Sequence, residues 1–149
     1  MSQASDIYQD HLDRITASFW DRDFETLVLE MVYPHKMASS GGLEEVASPT
    51  ALKSAAIAYR DRLDEMGATA FLRICTAAAF AEGREDRIDG VHRVYILAGG
   101  RQVMPVYSSE LILLHRQDRW MGAGVRGAYG PSDIGILRPP EGLLDSADF

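Results

Sequence analysis

A chain of 149 residues, 46% of them apolar, is long enough to bury one sizeable core and short for two, so a single domain is expected over residues 1–129 with an extension at 130–149. The formal charge of −7, with acids and bases mixed along the whole length, provides no basic patch for a phosphate backbone or an anionic bilayer, which argues against nucleic acid and membrane as partners. Cys75 is the only cysteine, so no intrachain disulfide or cysteine-based metal site can form; the first residues lack a basic start followed by an apolar run, and no apolar stretch approaches the ~20 residues of a bilayer span. A reducing cytoplasm is the expected compartment.

In chain order, Tyr8, Leu12, Ile15 and Phe19 recur at helical spacing between Asp10, Asp13 and Arg14, which predicts an amphipathic helix over residues 6–20 with Asp6 as its cap and Gln9 three positions on. A second, shorter helix starts at Asp23 and presents Phe24, Leu27, Val28 and Met31 on one face; Pro34 cannot continue it, having no amide proton. Residues 33–47 read as a small hairpin around Ser39-Ser40-Gly41-Gly42, whose glycines permit a tight turn. Ser48-Pro49 then opens the third helix, serine as cap and proline at the first helical position, and Gly67 closes it. Its buried stripe is Leu52, Ala55, Ala56, Tyr59, Leu63 and Met66, with Arg60, Asp61 and Asp64 toward water. Beyond Gly67, segments 68–81, 87–98, 102–116 and 119–128 are rich in Val, Ile, Leu and Tyr and are separated by short polar or glycine-rich connections, the pattern of an antiparallel meander. Gly122, Gly124 and Gly127 suggest bulges that let the last strand coil. Pro131, Pro139 and Pro140 exclude regular structure from the tail, whose Ile134, Ile136, Leu137, Leu143 and Leu144 would plug a pocket or embrace a neighbour.

This order of two helices, a hairpin, a long helix and four strands resembles the nuclear transport factor 2-like superfamily, to which ketosteroid isomerase, scytalone dehydratase and the SnoaL-like polyketide cyclases belong. The resemblance covers about residues 6–129 and rests on Tyr8-x-x-x-Leu12 with Phe19-Trp20, on Tyr33-Pro34-His35-Lys36-Met37 before Gly41-Gly42, on Ser48-Pro49, and on the segment from Leu113 through His115 to Trp120. It implies an α+β, cystatin-like cone, three helices and a hairpin packed in a strongly curved antiparallel sheet, with an apolar pocket at its open end and commonly a homodimer. It implies no single activity, because one fold hosts many.

Strand alternation proposes the pocket residues. If Lys36 faces water, Tyr33, His35 and Met37 face inward; if Arg93 faces out, His92 faces inward with Val94 and Ile96; if Arg116 faces out, Tyr107, Ser109, Leu111 and Leu113 face inward and Glu110, Ile112 and Leu114 outward. His35 and His92 are therefore candidate proton-transfer groups, Tyr107 a candidate phenolic donor, and Tyr8, Tyr33, Met37 and Ser109 candidate pocket-lining residues. For each, the plainer reading is a hydrogen-bonded histidine or a core aromatic, as it is for Trp20 and Trp120. Ile112 and Leu114, apolar on the outer face, call for cover by a second subunit, which sedimentation would show as a homodimer. No spacing fits a metal site, no motif fits a cofactor, and no phosphate-cradling loop, dinucleotide fingerprint or nucleophile elbow is found. An isomerase of the ketosteroid kind needs an inward carboxylate base; Glu110 is turned outward, and Glu82 and Asp89 lie near strand ends. The residues thus point to a cone that binds an apolar small molecule, with His/Tyr acid–base chemistry of a lyase or isomerase, or a protein-interaction module, as alternatives.

Overall fold

The computed structural model describes residues 2–39 and 42–127; the expectations for Ser40, Gly41 and the tail lie outside them. Helix α1 (Gln3–Trp20) begins earlier than Asp6, because the Ser2 hydroxyl accepts from the Ser5 amide and caps it. Gln9 takes no part in the cap. Its side chain crosses to the sheet, donating to the Arg73 carbonyl at 3.1 Å and accepting from the Cys75 amide at 2.7 Å. Helix α2 (Phe24–Leu29) is capped by Asp23 and is over before Met31, which opens strand β1 (Met31–Ser39), so Pro34 lies inside a strand after a cis peptide bond. Strand β2 (Gly42–Val46) completes the hairpin. Helix α3 (Pro49–Glu65) starts on the Ser48 cap with proline in its first turn, and Gly67 follows it at φ +76°, where a side chain would be strained.

One face of α3 differs from its expected division. Arg60 is buried: its guanidinium lies 3.8 Å over the Trp20 ring, donates to the Trp20 carbonyl at 3.1 Å and pairs with Asp64 at 2.6 Å. A planar, weakly hydrated cation can stack on an indole where a lysine would seek water.

The remaining strands are β3 (Ala70–Phe80), β4 (Arg87–Ala98), the short β5 (Arg101–Gln102), β6 (Tyr107–Arg116) and β7 (Arg119–Gly127). The expected strand over 102–116 is broken, since Pro105 has no amide to give a ladder and the chain leaves β5 before re-entering as β6. The sheet order is β2-β1-β7-β6-β4-β3, with β5 on β4. From β3 to β7 the pairings are antiparallel, but β1 runs parallel to β7, so the sheet is mixed rather than wholly antiparallel. The physical reason is distance along the chain: α3 and the whole meander intervene, so no hairpin dictates direction. Irregular register between Cys75 and Ala77 and between Ile112 and Leu113 marks bulges that curl the sheet around the helices.

Two apolar clusters fill the concave side. Phe19, Leu63, Phe71 and Ile96 join the helices to one end of the sheet, and Tyr8, Leu12, Ile88 and Leu113 seal α1 against the other. Each fully buried leucine or isoleucine here contributes about 1.5–3 kcal/mol. Gly90 is part of that seal, because the Tyr8 ring rests directly on its backbone.

Candidate functional site

Between the helices and the concave face lies a cavity of about 170 Å³. Its wall is mostly apolar, drawn from α1 (Ile15, Phe19), α3 (Leu52, Ala56), β1 (Met37) and β7 (Val125). Against this background stand six polar side chains: His35, Tyr59, Arg73, His92, Tyr107 and Ser109. No carboxylate lines it among the described residues.

His92 on β4 points inward beside its neighbour in register, Ser109 on β6. Its Nδ1 lies 2.7 Å from the Tyr8 hydroxyl, a contact buried on both sides. Desolvation, then the nearby Arg73 charge, lowers the His92 pKa to about 2. Burial likewise pushes the Tyr8 phenol far above its ordinary value, so both groups are neutral. Of the two, the phenol is the stronger donor and the imidazole nitrogen the stronger acceptor, so the favoured tautomer has Tyr8 donating to Nδ1 and the His92 proton on Nε2, where it is available to a ligand. His35 is the opposite tautomer. Its Nδ1 stands 3.3 Å from the Gly122 carbonyl, which can only accept, so Nε2 carries the lone pair. Burial lowers its pKa to about 4 despite that bond.

The other polar pair is Tyr59 on α3 and Tyr107 on β6, whose hydroxyls are 3.1 Å apart. Burial raises the Tyr59 pKa, and the Phe19 ring meets Tyr59 edge-on at 5.3 Å. Met37 and Ser109 also line the cavity. Two residues expected there do not. Tyr8 stands one layer behind, holding His92, and Tyr33 spends its hydroxyl on the Val28 carbonyl at 2.7 Å, its pKa pushed up to about 12 by burial. On the convex side, Glu110 accepts from Arg126 at 2.5 Å, and Ile112 and Leu114 are partly covered there. Leu72 and Ile74 of β3 are the more exposed apolar residues, at 45% and 49%.

Sequence reasoning missed two members of this region. Arg73 is flanked by apolar residues of both parities; the signal was a lone charge in mid-strand with Phe71 on its own face. His11 is fully buried with no well-formed hydrogen bond at either ring nitrogen, and desolvation, then Arg14, Arg73 and His35, outweighs a backbone contact at Trp120 and brings its pKa to about 3. Its position on the apolar stripe, one residue before Leu12, was the available sign. Among the described residues no group of three or more His, Cys, Asp or Glu is placed to hold a metal, and no helix is long and apolar enough to cross a membrane.

No protein-family model matches the chain, and no curated protein matches it by sequence. Solved structures do. Aln2 from a Streptomyces species is similar at TM-score 0.62 and 15% identity, over 80% of this chain and 85% of that one. A nuclear transport factor 2-like protein with a cystatin-like fold from Novosphingobium aromaticivorans matches at TM-score 0.65 and 12% identity, over 99% and 90%. A structure from Catenulispora acidiphila, in complex with S-DNPA, matches at TM-score 0.59 and 13% identity, over 81% and 89%. Identities this low speak for architecture alone: the chain has the α+β cone of the nuclear transport factor 2-like proteins with a cystatin-like fold.

Proposed function

We propose that the cone binds a largely apolar small molecule, in the cytoplasm that its lone Cys75 suits. The cavity carries this reading: about 170 Å³ of mostly apolar wall with a few convergent polar groups. An apolar cavity of roughly 150 Å³ accommodates benzene, so a single substituted ring fits without moving the walls. The complex of the Catenulispora acidiphila structure with S-DNPA lends support from a similar cone. Indole is a suitable probe. At saturating concentration it is expected to raise the melting temperature by several degrees, and Ala55→Trp, which fills the cavity from α3, to abolish the shift. If no aromatic probe of this size shifts the wild-type protein, the reading fails.

A second reading, a lyase or isomerase, is favoured by the Tyr8–His92 contact. There the Nε2–H of His92 would donate to a ligand oxygen while Nε2 of His35 accepts a proton from carbon. Against it, a histidine held near 4 is a weak base, which favours binding over catalysis. Ligands retained by the first experiment should, on this second reading, take up deuterium from D2O in the presence of protein, and His35→Gln should stop the uptake while preserving binding. Ligand that stays fully protonated with the wild type removes the enzyme reading.

A further inference from the structure

Four arginines of the described residues sit in partly or fully buried positions around the core and sheet, and three of them are matched by acids. Arg60 pairs with Asp64, Arg87 with Asp89 and Arg126 with Glu110. Arg73 differs. Its Nε donates to the Thr16 hydroxyl at 2.9 Å and its guanidinium lies 5.8 Å from the Phe71 ring, yet no carboxylate of the described residues forms an ion pair with it, in a chain where acids outnumber Lys and Arg by 22 to 15. The groups that face it cannot supply the missing charge. Tyr8, Tyr59 and Tyr107 are phenols, and burial holds the first two neutral; Asp13 is exposed on the outer side of α1 and exerts only a weak, distant pull.

A guanidinium stays protonated in any protein environment, so this one brings a full positive charge to an apolar cavity wall. An unpaired charge in such a setting costs free energy that the fold has no need to bear, since Gln9 already ties the backbone of this strand to α1 without the Arg73 side chain. The side chain lines the cavity. With Nε occupied by Thr16, the remaining donors are the terminal nitrogens, the end-on fork that matches the two oxygens of a carboxylate.

We infer that the molecule held in the cone is an apolar carboxylic acid, its carboxylate seated end-on against Arg73 and its hydrocarbon body in the cavity. The inference rests on the small-molecule reading above and narrows its ligand class. One cation matches one negative charge, which suits a carboxylate better than a phosphate monoester carrying about −1.5 to −2. The neutral N–H of His92 and the tyrosine hydroxyls supply further donors without adding charge.

The test compares two probes of the same shape, 4-methylbenzoate and 4-methylbenzamide, by calorimetric titration at pH 7.5. Wild-type protein is expected to prefer the carboxylate at least tenfold. Arg73→Met is expected to erase that preference while leaving amide affinity within a factor of about three, and Arg73→Lys, which keeps the charge but loses the fork, to fall between. Should Arg73→Met not fold, the wild-type ratio decides alone. Equal affinity for both probes overturns the carboxylate assignment and leaves the binding reading standing; failure of both probes to bind at millimolar concentration overturns the two together.

Discussion

Lowering the pH from 6.5 toward 4 is expected to strip this fold of its stability. His11, His35 and His92 are buried and neutral, with pKa values near 3, 4 and 2, whereas in the unfolded chain each titrates near the ordinary 6.5. As the pH falls below 6.5 the unfolded chain takes up protons that the folded one refuses, so the equilibrium moves toward unfolding until the folded values are reached. The groups facing these imidazoles make refusal stronger, because those that carry charge, Arg14 and Arg73, are positive. Each histidine contributes a slope of about 1.4 kcal/mol per pH unit once its unfolded form is charged, so the three together approach about 4 kcal/mol per unit near pH 5. Against a typical total of about 5–15 kcal/mol, a loss on this scale removes much of the protein's stability by pH 4. Asp64 and Asp86, whose pKa values are lowered by hydrogen bonds from Arg22 and Arg84, lose their contribution only as the pH falls through the ordinary carboxylate value and below, at the acid end of this window. Urea unfolding at a series of pH values measures the slope directly. A stability that stays flat between pH 7 and 5 would show that the imidazoles reach water or find acids.

Replacing Gly90 with alanine is the substitution expected to do most damage for one methyl group. The added Cβ would lie inside the van der Waals envelope of the Tyr8 ring, 2.7 Å from its Cζ, and Tyr8 is fully buried with no room to withdraw. Overpacking of this kind costs about 1–3 kcal/mol, and here the displaced ring also loses its bond to His92, which strands a buried acceptor. A destabilisation of about 3 kcal/mol in chemical denaturation is the expected result. The double variant with Tyr8→Leu should lose less than the sum of the two single changes, since the smaller side chain removes the clash. A Gly90→Ala protein within about 0.5 kcal/mol of wild type would contradict the packing described, because surface-like tolerance is foreign to so close a contact.

The parts of the fold written in local chemistry were legible in the sequence. Ser48-Pro49 carries its own cap and first-turn geometry, and the meander announces itself because each strand pairs with a sequence neighbour through a short connection. Lys36, Arg93 and Arg116 gave usable parity for the same reason, since a charged residue beside an apolar one orients a strand. What depended on distant partners was hidden. Nothing near β1 states that it will lie parallel to β7, and nothing in the α3 pattern says that Trp20 will offer Arg60 a ring to stack on. Arg73 escaped notice because strand parity around it is ambiguous and because the tie that orients it, Thr16, is on another element. The Tyr8–His92 contact joins residues 84 positions apart, beyond the reach of any spacing rule.

Helix α1 has a consequence for how such a pocket changes over time. Tyr8 fixes His92, Gln9 bridges the backbone on either side of Ile74, and Thr16 fixes Arg73, so three attachments spaced along one rod of about 27 Å set the polar geometry together. Turning that rod by one residue would detach all three, so selection cannot adjust one polar group by shifting the helix without disturbing the rest. The apolar wall supplied by α3, β1 and β7 has no such common axle. Drift in cavity size and shape is therefore free to accumulate at Met37, Leu52, Ala55 and Val125, while the positive charge that Arg73 presents there stays inherited as a unit with the helix.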